Sequence, residues 1–572
     1  MLIGALLTAS CGAESREKLA TRTDIETSSE PIGFQQIASL AGSENLSIAV
    51  RQLPRSLDPL GDLEPWAARA ADDLVFEGLT RRSEKGAPWG EPALADRCVV
   101  DIEHGGRAVN CHIPRERYFH DGQEVEVADV VYSLEFWLDR RRASLRHRHG
   151  LGGLKSIEVV DGPREDRDQG RWVRVGFSRA EPLILELIAA MKIVPRRRRR
   201  GRENEFRTSP VGTGPMRVTT LSSERWIFER VDDWLRPERS AIALAGLELR
   251  QVNDGAQGLT LARRGEVHIL DRVAQTHIPV ELGKPAMHAR FEAWLVSPPR
   301  FDCLLYNMAN GLQAGPRLRR ALDAAIPRAA LERDVYAAPG LTVRAPVDLH
   351  DPAPIDLKTL IDARSDDQGR AGLPNWLDPI DDEHGRIGAA LTLDTLGWKL
   401  EREVRRKPGG NLRLALMWDG RTGRAERVSK AIRGQWRALG IQTPEATATW
   451  NYLMTLMGRG EFDIAMMRMT QHTDADLYPY FHSRGELNLA GVADGELDRA
   501  LESYRTAVGQ AERRAAKEDV AERLSKLQVA SVLYAPAHVM LVARRVRGLE
   551  FEDDLPRLDK LGLEAYRPNA WQ

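Results

Sequence analysis

At 572 residues the chain exceeds the size at which a single hydrophobic core stops growing, so two or three packed units are expected. Hydrophobic residues at 42% and charged residues at 29% describe a globular body and exclude the fibrous and disordered classes. Lys+Arg 82 against Asp+Glu 83 gives a formal charge of -1, which offers no global field for nucleic acid, and no apolar run reaches the roughly 18 residues of a spanning helix.

The N-terminus reads MLIGALLTASCGAESREK: an apolar run from Met1 to Leu7, small residues up to Cys11, then a polar stretch. This is similar to the end of a lipoprotein signal, in which acyl chains on Cys11 would bury methylenes in the bilayer and leave the polar body outside. No basic segment precedes the run, and Thr8 stands third before the cysteine, so a plain tail is the competing reading. Folding is expected to start near NLSIAVRQLP, where Leu46, Ile48 and Val50 alternate as in a strand. The spacing from Trp66 to Phe76 predicts a helix stopped by Gly78.

Cys98 and Cys111 sit in two strand-like segments, DRCVVDIEHG and GRAVNCHIP, flanking a His104-Gly105-Gly106-Arg107 turn. A hairpin would bring them within disulfide range in an oxidising compartment, with Cys303 a buried thiol; three unrelated core cysteines is the other reading. After Phe119-His120-Asp121-Gly122, the residues Val127, Val130, Val131, Leu134, Trp137 and Leu138 predict one apolar helix stripe, although Glu126 is a poor cap. The run Arg196 to Arg200 predicts a solvated loop, because adjacent guanidiniums repel and resist desolvation. PVGTGP precedes two strand-like runs, at Met216 and Val218 and at Trp226 and Phe228, and lacks the glycine spacing of a phosphate loop. GLTLARRGEVHIL reads as a helix turning through Gly265 into a strand.

The second half repeats this style. FDCLLYNM at 301–308 is strand-like, LRRALDAAIPRAAL is a helix broken at Pro327, and 345–390 is expected to loop over the surface. Leu412, Leu414 and Leu416 alternate as a strand, followed by a helix carrying Val428, Ile432, Trp436 and Leu439 and closed by Gly440, then the FDIAMM strand. Residues 494–526 form a charged helical pair, and SVLYAPAHVMLVA is a strand-like return into a core.

Taken in order, LVFEGLTRRSEKGAPWGEPALADRC, FHDGQEVEVADVVYSLEFWL, PVGTGP with Trp234 behind it, GEVHIL, LRRALDAAIPRAAL, LGW at 396–398, a helix ending ALGI and the EFDIAMM strand form a set. Over about residues 44–565 this set resembles the family 5 extracellular solute-binding proteins, which include the dipeptide- and oligopeptide-binding proteins. The resemblance implies an α/β, two-lobed periplasmic-binding-protein-like fold of type II with an additional small domain. Lobe I would comprise 44–84, 206–297 and 520–572, the inserted small domain 85–205 and lobe II 298–519, behind a signal remnant at 1–11 and a tether at 12–43. It further implies a monomeric receptor, in the periplasm or on the outer face of the cytoplasmic membrane and held there by lipid alone. Such a receptor captures a small peptide or other small solute between closing lobes for the permease subunits of an ABC importer, with no cofactor and no catalytic residue.

Peptide-binding members meet the ligand's amino group with an Asp in the loop after a strand like EFDIAMM. Setting Asp474-Ala475-Asp476 against their DPD-like element puts Gln471 there, and a slipped alignment gives the role to Asp474. The ligand-binding candidates are therefore Tyr306, Asn307, Trp450, Met469, Gln471, His472 and Asp474. No GxSxG, HExxH or Walker A pattern occurs, and His147 and His149 among arginines make an incomplete metal site, so neither an enzyme nor a metal protein is expected. A surface receptor or chaperone that keeps this scaffold without uptake is the alternative function.

Overall fold

The computed structural model describes residues 45–564, except 83–89, 103–104, 143–144, 147–148, 163–169, 235–241, 274–276, 278–283, 310–314, 337–339, 342–351, 356–381, 471–475 and 508–509. The first strand, Leu46–Val50, is buried at every position because it lies inside a sheet covered on both faces. It pairs in parallel with Gly246–Gln251 and with Ile269–Val273. Outward from these lie Arg225–Arg230 and Met216–Leu221 on one side, and His538–Ala543, Phe291–Val296 and Ala353–Ile355 on the other, making eight strands. The helix Gly255–Arg264 leads into this sheet through Gly265, whose φ of 76° is the left-handed stop that the sequence pattern anticipates.

A second sheet has six strands in the order Gly340–Leu341, Ala530–Pro536, Arg300–Tyr306, Ile464–Thr470, Leu416–Asp419 and Glu445–Ala448. Each face has its own core: Leu304, Ile464, Leu416 and Trp418 pack with Ile432 and Trp436 of the helix Gly423–Ala438. On the other face Leu305, Met417 and Ala465 pack with Leu453, Leu501 and Leu524. Two described crossovers join the sheets, Val296 to Arg300 and Pro536 to His538, and Ser297 Oγ donates to the Pro536 carbonyl at 3.0 Å to hold them side by side. The C-terminal return is thus divided. Ala530–Pro536 belongs to the second sheet and only His538 onward to the first, because the turn at Pro536 interrupts the run that its composition made continuous. Within the expected loop at 345–390, the structure has the Ala353–Ile355 strand and the helix Asp382–Thr395, whose Ala389 and Leu393 enter the second core.

A four-stranded sheet, ordered Arg97–Val100, Ala108–His112, Trp172–Phe177 and Leu154–Val160, carries the helix Val127–Glu135. Contrary to the expectation of a poor cap, that helix opens in a capping box formed by Glu126 and Asp129. Asp129 reaches back to accept the Glu126 amide at 3.0 Å, and its other oxygen accepts the Arg196 amide at 2.8 Å. Its apolar stripe joins one continuous core with the eight-stranded sheet. Cys98 stands opposite Cys111 in the hairpin and is bonded to it, while Cys303 is a buried free thiol. Replacing both bonded cysteines by serine is expected to lower stability by about 2–4 kcal/mol, read as a fall in the urea midpoint.

The arginine run departs from expectation. Arg196–Arg199 is a helical turn in which Arg199 is buried: its guanidinium donates to both oxygens of Asp58 at 2.9 to 3.1 Å and to Tyr132 Oη at 3.1 Å. Desolvation is compensated there by an acid 141 positions earlier in the chain, which no local rule anticipates. The two glycines of PVGTGP serve close packing: a Cβ at Gly212 or Gly214 would collide with the carbonyls of Val75 or Leu74. His120 locks this turn by taking the Gly212 amide on Nδ1 at 3.4 Å and donating from Nε2 to the Gly214 carbonyl at 2.8 Å. Burial accordingly lowers its pKa. Trp234 Nε1 donates to the Thr213 carbonyl at 2.7 Å, so these shared markers hold the frame together.

Candidate functional site

In open α/β sheets a ligand crevice forms outside the carboxyl ends of the parallel strands. In the second sheet those ends belong to Leu416–Asp419, Glu445–Ala448 and Ile464–Thr470, and the antiparallel Arg300–Tyr306 begins there, beside the crossovers. Trp450 opens the helix Trp450–Gly458 directly after the second of these strands, and Met469 lies opposite Phe301 near the end of the third. Both are half-buried against the same apolar cluster, so they share this edge.

Tyr306 and Asn307 do not join them. The register places Tyr306 opposite Ile464, at the far end of a strand that runs away from the crossover. Tyr306 is fully buried with its hydroxyl 2.6 Å from Ser531 Oγ. Asn307 donates to the carbonyls of Gly460 and Phe462 at 2.9 and 2.7 Å and accepts the Ala309 amide at 3.1 Å, which uses its amide within the lobe. Gln471, His472, Asp474, Cys11 and His147 lie outside the described residues.

A separate ionic contact joins the elements packed on the second sheet to the inserted region. Arg505, on the helix Gly495–Thr506, lies 2.9 Å from Glu181 of the inserted region and 2.9 Å from Asp476, and its guanidinium stands over the Tyr478 ring at 4.6 Å. Arg179 completes the contact, 2.8 Å from Glu181 and 3.1 Å from Glu486. The Glu181 side chain is 2% exposed; burial raises its pKa, and Arg505 and Arg179 oppose that shift.

At the crossovers a second charged group gathers. Arg468 pairs with Asp302 at 2.8 Å across neighbouring strands, Arg300 begins its strand, and Arg272 and His538 approach from the first sheet with Nη2 and Nδ1 3.4 Å apart. Burial, with Arg272 and Arg300 nearby, pushes the His538 imidazole down to about 3. The folded protein therefore refuses a proton that the unfolded chain accepts from about pH 6.5 downward, so stability is lost as pH falls through that window toward 3. Lowering the pH from about 7 to about 5 should remove on the order of 2 kcal/mol through this group. A smaller drop in urea midpoint for His538→Gln than for the wild type checks it. Asp271 nearby is held up at about 6, by burial first.

Neither charged group is among the residues that the sequence singles out. A signal existed in Asp302 and Arg468, single charges inside apolar strands, since a charge in such a run must find a partner across the sheet. Arg505 and Glu181 carried no comparable mark, and Asp476 figured only as the last residue of the DPD-like element.

Residues 90–488 match the family described as "Bacterial extracellular solute-binding proteins, family 5 Middle". The chain is 20% identical over 520 residues to "Oligopeptide-binding protein AppA" of Bacillus subtilis (strain 168), covering 87% of each chain. The solved structure of that protein in complex with a nonapeptide superposes with a TM-score of 0.54 at 19% identity, covering 91% of this chain and 99% of the other. HbpA2 from Haemophilus parasuis gives a TM-score of 0.64 at 16% identity, covering 91% and 100%. A nickel ABC transporter structure from Bacillus halodurans gives 0.59 at 18%, also covering 91% and 100%. With well over half of its length matched, the chain belongs to the bacterial extracellular solute-binding proteins of family 5, the binding components of ABC importers, and is a solute receptor rather than an enzyme.

Proposed function

We propose that this protein captures a peptide or other small solute in the crevice between its lobes and presents it to the permease subunits of an ABC importer. The observation that carries this reading is that the two sheets are joined at paired crossovers while the Arg505–Glu181 ion pair separately ties the second sheet's helices to the inserted region, as a hinge and a clasp would. Lobe I is assigned 44–84, 206–297, the Ala353–Ile355 strand and the chain from 537, the small domain 85–205, and lobe II the rest of 298–536. Trp450 and Met469 would wall the solute, with Gln471, His472 and Asp474 as its polar partners. The peptide assignment draws on AppA, solved with a nonapeptide; the nickel transporter relative marks the non-peptide branch.

Native mass spectrometry of freshly purified protein, before and after mild denaturation, tests the assignment. Recovery of mixed short peptides is expected, and a single non-peptide species would overturn it. We further propose a monomer held at the outer face of the cytoplasmic membrane through lipidated Cys11. Labelled palmitate should then enter the wild type and not Cys11→Ser.

A further inference from the structure

We propose that the pole of the second lobe opposite the crevice is a docking face for an anionic lipid bilayer, with Arg402, Arg406 and Arg437 meeting phosphate and Leu400 entering the apolar boundary beneath it. This goes beyond solute capture and adds a contact of the protein itself to the lipid attachment proposed at Cys11.

The crevice lies at the carboxyl ends of the parallel strands Leu416–Asp419 and Glu445–Ala448. At their amino ends stands a three-stranded sheet of Lys399–Glu401, Val404–Lys407 and Gly410–Asn411, which runs on through Arg413, bridged to Gln442, into the second sheet. The helix Gly423–Ala438 ends at the same pole, and a cavity of about 620 Å³ opens between that end and the hairpin tip at Arg402 and Glu403. This volume is in the range of small-molecule sites. Its lining mixes the apolar Leu400, Val404 and Ile441 with Arg402, Arg437 and Thr443, whose hydroxyl is buried without a partner.

The charge at this pole is unbalanced. Arg405 and Arg433 are buried and pair with Asp394 and Glu445. Lys399, Arg402, Arg406, Lys407, Arg413 and Arg437 remain, and none of the six has an ion-pair partner among the described residues. Residues 399–413 hold only Glu401 and Glu403 as acids. Lys399 stands directly opposite Arg406 in the hairpin. Like charges in register repel and destabilise a sheet, and a layer of anions over them removes that cost. The tip keeps Arg402 and Glu403 at φ of 45° and 68°, where asparagine and glycine would be less strained, so this turn is not chosen for stability alone.

Apolar exposure decides which anion fits. Ile387 and Leu391 lie four apart on the outer face of the helix Asp382–Thr395, which leads into Lys399–Glu401. With Leu400 they are three of the eight large apolar side chains exposed among the described residues, so exposed aliphatic groups and unpaired cations gather on neighbouring elements. Free phosphate or a soluble polyanion would satisfy the cations and leave the aliphatic groups in water. The boundary between headgroups and acyl chains of an anionic bilayer takes up both.

Full-length Cys11→Ser, which cannot carry the anchor, is the parent for sedimentation with vesicles of equimolar phosphatidylglycerol and phosphatidylcholine, and with phosphatidylcholine alone. It should bind the mixed vesicles at low salt, release them at high salt and ignore the neutral ones. Each cation near such a surface is worth roughly fivefold in affinity, so adding Arg402→Gln, Arg406→Gln and Arg437→Gln should weaken binding about a hundredfold. Adding Leu400→Ser alone should weaken it up to about tenfold. The same loss of charge on the inserted region, Arg141→Gln with Arg197→Gln and Arg198→Gln, should leave binding as in the parent. No binding to the mixed vesicles, full affinity in the first triple variant, or an equal loss in the second would overturn the docking face. Undiminished binding by Leu400→Ser, or capture of polyglutamate without capture of vesicles, would overturn the lipid assignment and point to a soluble acidic partner. None of these outcomes bears on solute capture.

Discussion

Arg505→Ala is expected to open the solute-free protein. In the closed arrangement that guanidinium lies between Glu181 and Asp476, both at 2.9 Å, and its removal leaves a carboxylate that is 2% exposed facing another acid. Breaking one side of a buried ion pair costs about 3–5 kcal/mol because the remaining charge is left in a poor medium. Opening the crevice hydrates Glu181 and escapes most of that cost, so the loss appears as a shift of population rather than as unfolding. Arg179 still holds Glu181 at 2.8 Å, which argues for the lower end of the range. A roughly hundredfold fall in the closed-to-open ratio follows, with a matching fall in affinity for any solute that requires closure. Small-angle scattering should show a larger radius of gyration for Arg505→Ala and partial recovery for Arg505→Lys. An unchanged profile together with unchanged affinity would mean that the clasp does not govern closure.

Asp58→Ala should destabilise the first lobe by about 3–5 kcal/mol. Asp58 accepts three hydrogen bonds from Arg199 between 2.9 and 3.1 Å, and the two side chains are 3% and 7% exposed. Asp58 also accepts the Leu60 amide at 3.2 Å, which shapes the chain just after the first strand. Its loss leaves a buried guanidinium with only Tyr132 Oη and the face of Phe136, 5.4 Å away. The pair matters because it binds the segment behind Leu46–Val50 to the inserted region. Urea unfolding should show the midpoint falling in Asp58→Ala and recovering in Asp58→Ala combined with Arg199→Met, since removing both charges leaves none stranded. A double variant no more stable than the single one would refute the ion pair as the cause.

The helix at Val127–Glu135, the turn at Gly265, the Cys98–Cys111 hairpin and the alternation at Leu46, Ile48 and Val50 were legible because each depends on residues within a few positions. Periodicity of 3.6 or 2, with glycine where φ turns positive, is short-range physics written directly into residue order. The order of family markers carried the two-lobed body for the same reason, although His120, Gly212 and Gly214 turn out to act as a frame.

The candidate site was legible only in part. Trp450 and Met469 do share an edge, but Tyr306 and Asn307 follow a strand that leads away from it, and strand direction relative to a neighbour is not encoded in either strand alone. Arg199, read from its neighbours, belongs in water; Asp58 puts it in the interior. Arg505, Glu181, Arg272 and His538 acquire their roles in the same way, from groups brought together across chain separations of hundreds of residues. Residue order therefore settled the segments and their apolar faces, because those energies are local. The charged partners of the crevice were decided by the tertiary structure, because the energy of a charge depends on which distant charge and how much water surround it.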